Sequence, residues 1–169
     1  MIRIILILLQ APGIITHELS HAFLCVLSGV KIFKMRLLRF SDPPGFVEHA
    51  EPEDFLSNIL IACGPFIGNS LLGLFLAGRI VVGSWTFETM LYGWLAFVIA
   101  LHALPSDGDV DMVLTSWLWR IKHEWLLIFF APLFPLLYGI KLIKRLRGRV
   151  LYAGLIVVLG AWYLKNHQP

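Results

Sequence analysis

Charged residues are scarce in this chain of 169 residues, because Asp, Glu, Lys and Arg together make up only 15% of it. A soluble domain has about 25% charged residues. Hydrophobic residues make up 58% of the chain, and the mean hydropathy is +0.78. A small globule leaves much of its surface in water and cannot bury such an apolar excess. The composition therefore predicts an integral membrane protein and excludes a disordered chain and an ordinary soluble enzyme.

Cysteine is also rare in this sequence. The two cysteines, Cys25 and Cys63, both lie within apolar stretches and form no Cys-x-x-Cys pair. The sequence therefore offers neither a thiolate zinc site nor a disulfide framework. Buried, unpaired thiols are expected at both positions.

Basic segments of the kind that bind nucleic acid are absent as well. The net charge is +3, but no basic run is interleaved with aromatic residues on a soluble module. In a membrane protein such a charge indicates basic cytoplasmic loops. We therefore expect the lipid bilayer, and no nucleic acid, among the partners of this chain.

Apolar runs of helical length recur along the chain, and about 20 apolar residues suffice to cross a bilayer. They cover residues 2–30, 54–82, 86–104, 125–140 and 150–164, and a short amphipathic helix is predicted over 112–122. The prediction is an all-α integral membrane protein with a bundle of about four to six transmembrane helices. Residues 1–169 are expected to form a single membrane-embedded domain.

Residues 31–53 interrupt this helical pattern. Apolar and basic residues mix here around the turn sequence Asp42-Pro43-Pro44-Gly45. The pattern predicts a short β-hairpin after the first helix, with an interfacial loop as the alternative.

The basic residues orient the predicted helices. Those of the first loop and those of a second predicted loop at 141–149 both favour the cytoplasmic side. A single crossing by residues 125–140 conflicts with this arrangement. Either that segment is a re-entrant hairpin, or residues 112–122 also enter the membrane.

The most informative feature is His17-Glu18-Leu19-Ser20-His21 in the first apolar run. On a helix, residues i and i+4 lie on one face, so two imidazoles in this spacing can bind one Zn²⁺. Glu18 is then placed to act as the general base for a water molecule that the zinc activates. A cleaved signal peptide and a polar helix face are the alternatives. Ionisable groups in a membrane span are costly, which favours the metal site.

A zinc ion with two imidazole ligands needs a third protein ligand and leaves one position open. The acidic segment 106–111 is the preferred source, and three further histidines are alternatives that are more often ordinary solvated or hydrogen-bonded residues. These candidates are Asp107, Asp109, Asp111, His49, His102 and His123.

Three segments in this order resemble the site-2 protease family of intramembrane zinc metalloproteases, peptidase family M50. They are His17-Glu18-x-x-His21, Gly64-Pro65-Phe66-Ile67-Gly68-Asn69 and Leu104-Pro105-Ser106-Asp107-Gly108. The resemblance covers a catalytic core of about residues 5–115, and the C-terminal helices at 116–169 match no segment that we can name.

The resemblance implies a bundle of transmembrane helices around a zinc ion below the cytoplasmic surface. His17, His21 and an aspartate would be its ligands, and Glu18 would be the general base. Asn69 would steady the substrate or the developing oxyanion, with a helix–helix hydrogen bond as the alternative. The aspartate is either Asp107 or Asp109, and the full match to Pro-Ser-x-Gly-Asp in small members favours Asp109.

The function that follows is hydrolysis of peptide bonds in membrane-spanning or membrane-associated proteins. We expect a multi-pass protein of the cell membrane with its active site toward the cytoplasm. A non-catalytic relative that keeps the metal site and binds partners is the alternative. A metal transporter is disfavoured, because the candidate ligands converge at one depth. The sequence predicts no particular substrate or oligomeric state.

Overall fold

Helices dominate the computed structural model, which describes residues 2–145 and 147–167. The α-helices and the two β-strands are named in chain order, with a 3₁₀ helix between α4 and α5. The elements are α1 Ile2–Leu27, β1 Ile32–Arg36, β2 Phe46–His49, α2 Phe55–Ala77, α3 Phe87–Leu101, α4 Asp107–Arg120, the 3₁₀ helix Trp125–Phe130, α5 Leu133–Arg145 and α6 Gly148–His167.

The predicted helical fold with a β-hairpin after the first helix is confirmed. Two of the described helices, α1 with 26 residues and α2 with 23, are long and apolar enough to cross a membrane. Helix α3 and residues 148–163 of α6 are shorter apolar helices. The number of four to six transmembrane helices therefore stays a prediction.

The hairpin packs next to the C-terminal half of α1. Gly29, with a φ of 68°, ends that helix in the left-handed conformation that glycine adopts without strain. Strands β1 and β2 then pair antiparallel, with Arg36 opposite Phe46 and Ile32 opposite His49. The chain returns along the hairpin toward α2, whose first turn is capped by Asp54.

Close contacts between helices fix the face of α1 that carries the His-Glu-x-x-His sequence. A Cβ atom at Gly68 of α2 would lie 2.5 Å from the Ser20 Oγ, and one at Gly13 of α1 would overlap the Val98 carbonyl of α3. Small residues at these points let the helix backbones approach closely. Helices α2 and α3 therefore pack tightly against the two sides of α1.

The region after α3 differs from the prediction. Helix α4 begins at Asp107, earlier than the predicted start at 112, because Ser106 caps it. Residues 125–140 are broken at Pro132, between the 3₁₀ helix and α5. The predicted loop at 141–149 is wrong, because α5 continues to Arg145 and α6 begins at Gly148. Lys and Arg are good helix formers, which explains the continuation.

Candidate metal centre

Two imidazoles and one carboxylate meet between α1 and α4. The Nε2 atoms of His17 and His21 lie 3.2 Å apart. Asp109 brings its Oδ1 to 3.4 Å from the His21 Nε2 and its Oδ2 to 3.9 Å from the His17 Nε2. The three residues form a group whose possible ligand atoms all lie within 4.8 Å of one another.

Backbone carbonyls orient both imidazoles. The His17 Nδ1 lies 2.7 Å from the carbonyl oxygen of His102, and the His21 Nδ1 lies 2.8 Å from that of Ile61. A carbonyl only accepts, so each Nδ1 carries the proton and donates it. In the neutral ring the lone pair is then on Nε2, which faces the centre of the group. Such carbonyl partners are typical of histidines that bind metals.

A capping box at the start of α4 orients Asp109. The Ser106 Oγ accepts from the Asp109 amide at 3.1 Å, and the Asp109 Oδ2 accepts from the Ser106 amide. Burial by itself would raise the pKa of Asp109, but the adjacent imidazoles of His21 and His17 and the amide of Ser106 keep that pKa below its usual value. The carboxylate therefore stays ionised. Its negative charge favours the binding of a cation next to the two Nε2 atoms.

The separations within this group fit a zinc ion. With bonds of about 2.0–2.1 Å and tetrahedral angles, two zinc ligand atoms lie about 3.3–3.4 Å apart. The observed separations of 3.2 Å between the imidazoles and 3.4 Å from His21 to Asp109 agree with this value, and the separation of 3.9 Å from His17 to the Asp109 Oδ2 is longer. Two imidazoles and one carboxylate are also a donor set that suits Zn²⁺.

Glu18 and the hairpin turn close one side of the same cavity, which has a volume of about 380 Å³. Glu18 is 8% exposed. A Cβ atom at Gly45 would lie 2.7 Å from the Glu18 Cγ and 2.9 Å from its Oε1. The turn of the hairpin therefore contacts the carboxylate directly, and only a glycine leaves room for it there.

A family model described as Peptidase M50B-like matches residues 1–118. The chain belongs to the Peptidase M50B-like family. No curated protein and no solved structure matches the chain.

Membership in the M50B-like family confirms the resemblance to site-2 proteases and indicates a protein of the metallopeptidase type. M50 peptidases are generally zinc-dependent, and the group of His17, His21 and Asp109 could bind such an ion. The two candidate membrane-spanning helices agree with a membrane protein. Helices α5 and α6 lie outside the matched residues.

Of the two aspartates predicted as third ligand in this M50B-like chain, Asp109 lies in the group and Asp107 does not. Asp107 is exposed in the first turn of α4. The other candidates also stay outside the group. The His102 imidazole contacts the Gln10 Oε1 at 3.0 Å, and the His49 Nδ1 donates to the Ala50 carbonyl. The ligand roles of His17, His21 and Asp109 remain predictions.

Asn69 lies behind His17 and does not line the cavity that contains Glu18. It is fully buried, and its Nδ2 lies 3.2–3.3 Å from the carbonyl oxygens of Gly13, Ile99 and His102. The His102 carbonyl is also the partner of the His17 Nδ1. This geometry favours the predicted helix–helix hydrogen bond over contact with a substrate.

Three residues around the centre are not predicted by the sequence. Ser106 had a readable signal, because Ser-x-x-Asp before an apolar run is a capping-box pattern that favours Asp109. Gly45 and Arg149 both line the cavity, and each reaches it through long-range packing. No local pattern in the sequence indicates such contacts.

Proposed function

We propose that this chain is an intramembrane zinc metalloprotease that hydrolyses peptide bonds of membrane-spanning or membrane-associated proteins. The observation that carries the proposal is the convergence of His17, His21 and Asp109 beside the buried carboxylate of Glu18 in one cavity. Membership in the M50B-like family supports the same conclusion.

In this proposal His17, His21 and Asp109 bind the zinc ion. When bound, zinc supplies Lewis-acid chemistry, which makes water a nucleophile near neutral pH. Glu18 takes the proton from the water that attacks the peptide carbonyl. The same carboxyl group then gives that proton to the leaving nitrogen as the carbon–nitrogen bond breaks. Gly45 keeps the Glu18 carboxylate in place from the side of the hairpin.

Asn69 acts as a positioning residue in this proposal. It donates to the His102 carbonyl, which in turn accepts from the His17 Nδ1. The carbonyl fixes the plane of the imidazole, and Asn69 fixes the carbonyl. We propose this positioning role for Asn69 in place of the expected stabilisation of an oxyanion, because Asn69 is not among the residues that line the cavity.

An unwound substrate segment would enter beside β2. Phe46, Val47 and His49 of this strand line the cavity. Within the described residues the sheet has two strands, so one edge of β2 is without a strand partner. Pairing with that edge would hold a peptide extended and expose its carbonyls. Cleavage that continues unchanged after both Phe46→Pro and Val47→Pro would contradict edge pairing.

We further propose that the chain is a single domain that crosses the membrane several times, with about four to six spans. The basic residues of the loop between α1 and α2 support a cytoplasmic position for the active site. The catalytic core would comprise about residues 5–115, followed by the C-terminal helices 116–169.

The test of this function compares Glu18→Gln with the wild type in detergent. The probes are zinc content and cleavage of quenched-fluorescent peptides. Loss of a general base lowers turnover by about 10²–10⁴-fold. We expect the variant to lose cleavage and to keep its zinc, because Glu18 is not among the three grouped residues.

Glu88→Gln is the matched control, because Glu88 is an exposed glutamate in the first turn of α3. It should keep both zinc and cleavage. Equal turnover by Glu18→Gln and the wild type would exclude the mechanism. Zinc binding without any cleavage by the wild type would instead favour the non-catalytic relative.

A further inference from the structure

Arg149 brings a positive charge into the cavity from a part of the chain that lies outside the family match at 1–118. It is the second residue of α6, and it lines the same cavity as His17, Glu18 and Asp109. Its side chain is close enough to the imidazoles of His17 and His102 to interact with them electrostatically.

Packing of α6 against α2 and α3 fixes the position of Arg149. The Tyr152 hydroxyl lies 2.7 Å from the Ser70 Oγ of α2. One turn further on, the buried Ile156 packs with Ala100 of α3. A Cβ atom at Gly160 would lie 2.5 Å from the Ala77 Cβ, so α6 and α2 also touch near their C-terminal ends. The start of α6 is therefore held next to the cavity by contacts along the helix.

Arg149 is exposed, so its guanidinium is accessible to a ligand that enters the cavity. Among the described residues that line it, Glu18 and Asp109 are acidic and Arg149 is the permanent cation. The ion pairs found within the described ranges do not include Arg149. A divalent ion would balance the two carboxylates, since +2 and −2 sum to zero. The positive charge of Arg149 is then available to bind a negatively charged ligand.

We propose that Arg149 is a specificity-determining residue that binds a carboxylate of the substrate close to the scissile bond. A guanidinium binds a carboxylate with two parallel hydrogen bonds, which gives both affinity and orientation. The carboxylate comes either from an acidic side chain or from the free C-terminus of the substrate. This inference rests on the proposed protease function and names the substrate class for it.

The experiment uses full-length, zinc-loaded protein in detergent and a set of fluorescent peptides. In the set, a single Asp, Asn or Lys is moved through the positions around the cleavage site. Each peptide is made with a free acid and with an amide at its C-terminus, which separates the two sources of the carboxylate. Cleavage gives kcat/KM, and fluorescence anisotropy with the Glu18→Gln protein gives binding without turnover.

The variants are Arg149→Gln and Arg149→Glu, each alone and combined with Glu18→Gln. Arg147→Gln is the matched control, because Arg147 is an exposed arginine just before α6 that does not line the cavity. All of them should bind zinc as the wild type does, since Arg149 is not among the grouped metal-binding residues.

We expect the wild type to prefer one carboxylate-bearing peptide over its neutral counterpart by about fivefold to tenfold. Arg149→Gln should abolish this preference, Arg149→Glu should shift it to the Lys peptide, and Arg147→Gln should keep it. A preference that survives in Arg149→Gln, or no carboxylate preference in either assay, would overturn the inference.

The two proposals fail differently. If no peptide is cleaved, the protease function fails, and the anisotropy data still decide whether Arg149 binds carboxylates. If peptides are cleaved but binding and kcat/KM are the same with and without the carboxylate, the inference on Arg149 fails and the protease function stands.

Discussion

Replacing Asn69 with alanine should weaken zinc binding in protein that is still folded. Loss of a residue that orients a metal-binding histidine lowers metal affinity by about 10–100-fold. This corresponds to about 1.4–2.7 kcal/mol. We expect a loss in this range, because Asn69 acts on His17 through backbone carbonyls. The His102 carbonyl accepts from the His17 Nδ1, and the Gly13 carbonyl lies one turn before His17 in α1.

The partners that remain limit the effect of this substitution on stability. Each carbonyl that contacts the Asn69 Nδ2 has a second donor. The Gly13 oxygen accepts from Thr16, the Ile99 oxygen from the His102 amide and the His102 oxygen from His17. Loss of the two N–H groups of Asn69 costs about 1–3 kcal/mol.

The Oδ1 of Asn69 adds no hydrogen bond to that loss. It is buried without a hydrogen-bond partner among the described residues. Its removal therefore costs no hydrogen bond within these residues, whereas the cavity that the shorter side chain leaves in the buried site costs further free energy. The melting temperature of Asn69→Ala should fall by several degrees, and zinc binding is compared well below it.

The assay is competition for zinc with a chromophoric chelator, together with thermal unfolding in the same detergent. Asn58→Ala is the matched control, because Asn58 is a fully buried asparagine of α2 without a contact to His102. It should keep the zinc affinity of the wild type. Unchanged zinc affinity in Asn69→Ala, combined with a lower kcat/KM, would refute this reasoning and favour a direct role of Asn69 on the substrate.

Two further predictions concern the hairpin and the start of α2. Gly45→Ala should lower cleavage by about tenfold or more at unchanged zinc content, because the new Cβ would lie 2.7 Å from the Glu18 Cγ. Gly154→Ala, which meets no atom within 4 Å, should cleave normally, and full activity of Gly45→Ala would contradict the contact. Asp54→Ala should lower the unfolding free energy by about 1 kcal/mol near neutral pH, because the Asp54 carboxylate caps α2 through the Ser57 amide at 2.7 Å. Hydrogen bonds from Ser57 lower the pKa of Asp54 below its ordinary value of 3.8. Its stabilisation is therefore fully present above pH 3.8 and is lost as the pH falls through the lowered pKa. Asp54→Asn keeps a capping oxygen at all pH values, so a loss of stability in Asp54→Asn equal to that in Asp54→Ala would contradict the assignment.

Local spacing explains why one part of the site was predictable. His17 and His21 are four residues apart on one helix, so their proximity depends only on the formation of α1. The position of the Asp109 side chain follows from another local signal, the capping box with Ser106. The hairpin was predictable because a turn sequence separates its two short strands.

Residues that reach the centre through helix packing were not predictable in the same way. Arg149 lines the cavity only because the contacts of Tyr152 and Gly160 fix α6 against α2. The hydrogen-bond partner of His17 is the backbone carbonyl of His102. Every residue has such a carbonyl, so the sequence does not indicate this contact. The division of 125–140 into a 3₁₀ helix and α5 likewise depends on where the helix breaks around Pro132.

The identity of the metal ligands is the central claim, and zinc content per chain tests it most directly. The proteins to compare are the wild type, His17→Ala, Asp109→Ala and Asp107→Ala, purified in the same detergent. We predict about one zinc ion per chain in the wild type and in Asp107→Ala, and loss of zinc in the other two variants. Retention of zinc by Asp109→Ala together with its loss from Asp107→Ala would contradict the assigned centre, as would a wild type that binds no supplied zinc.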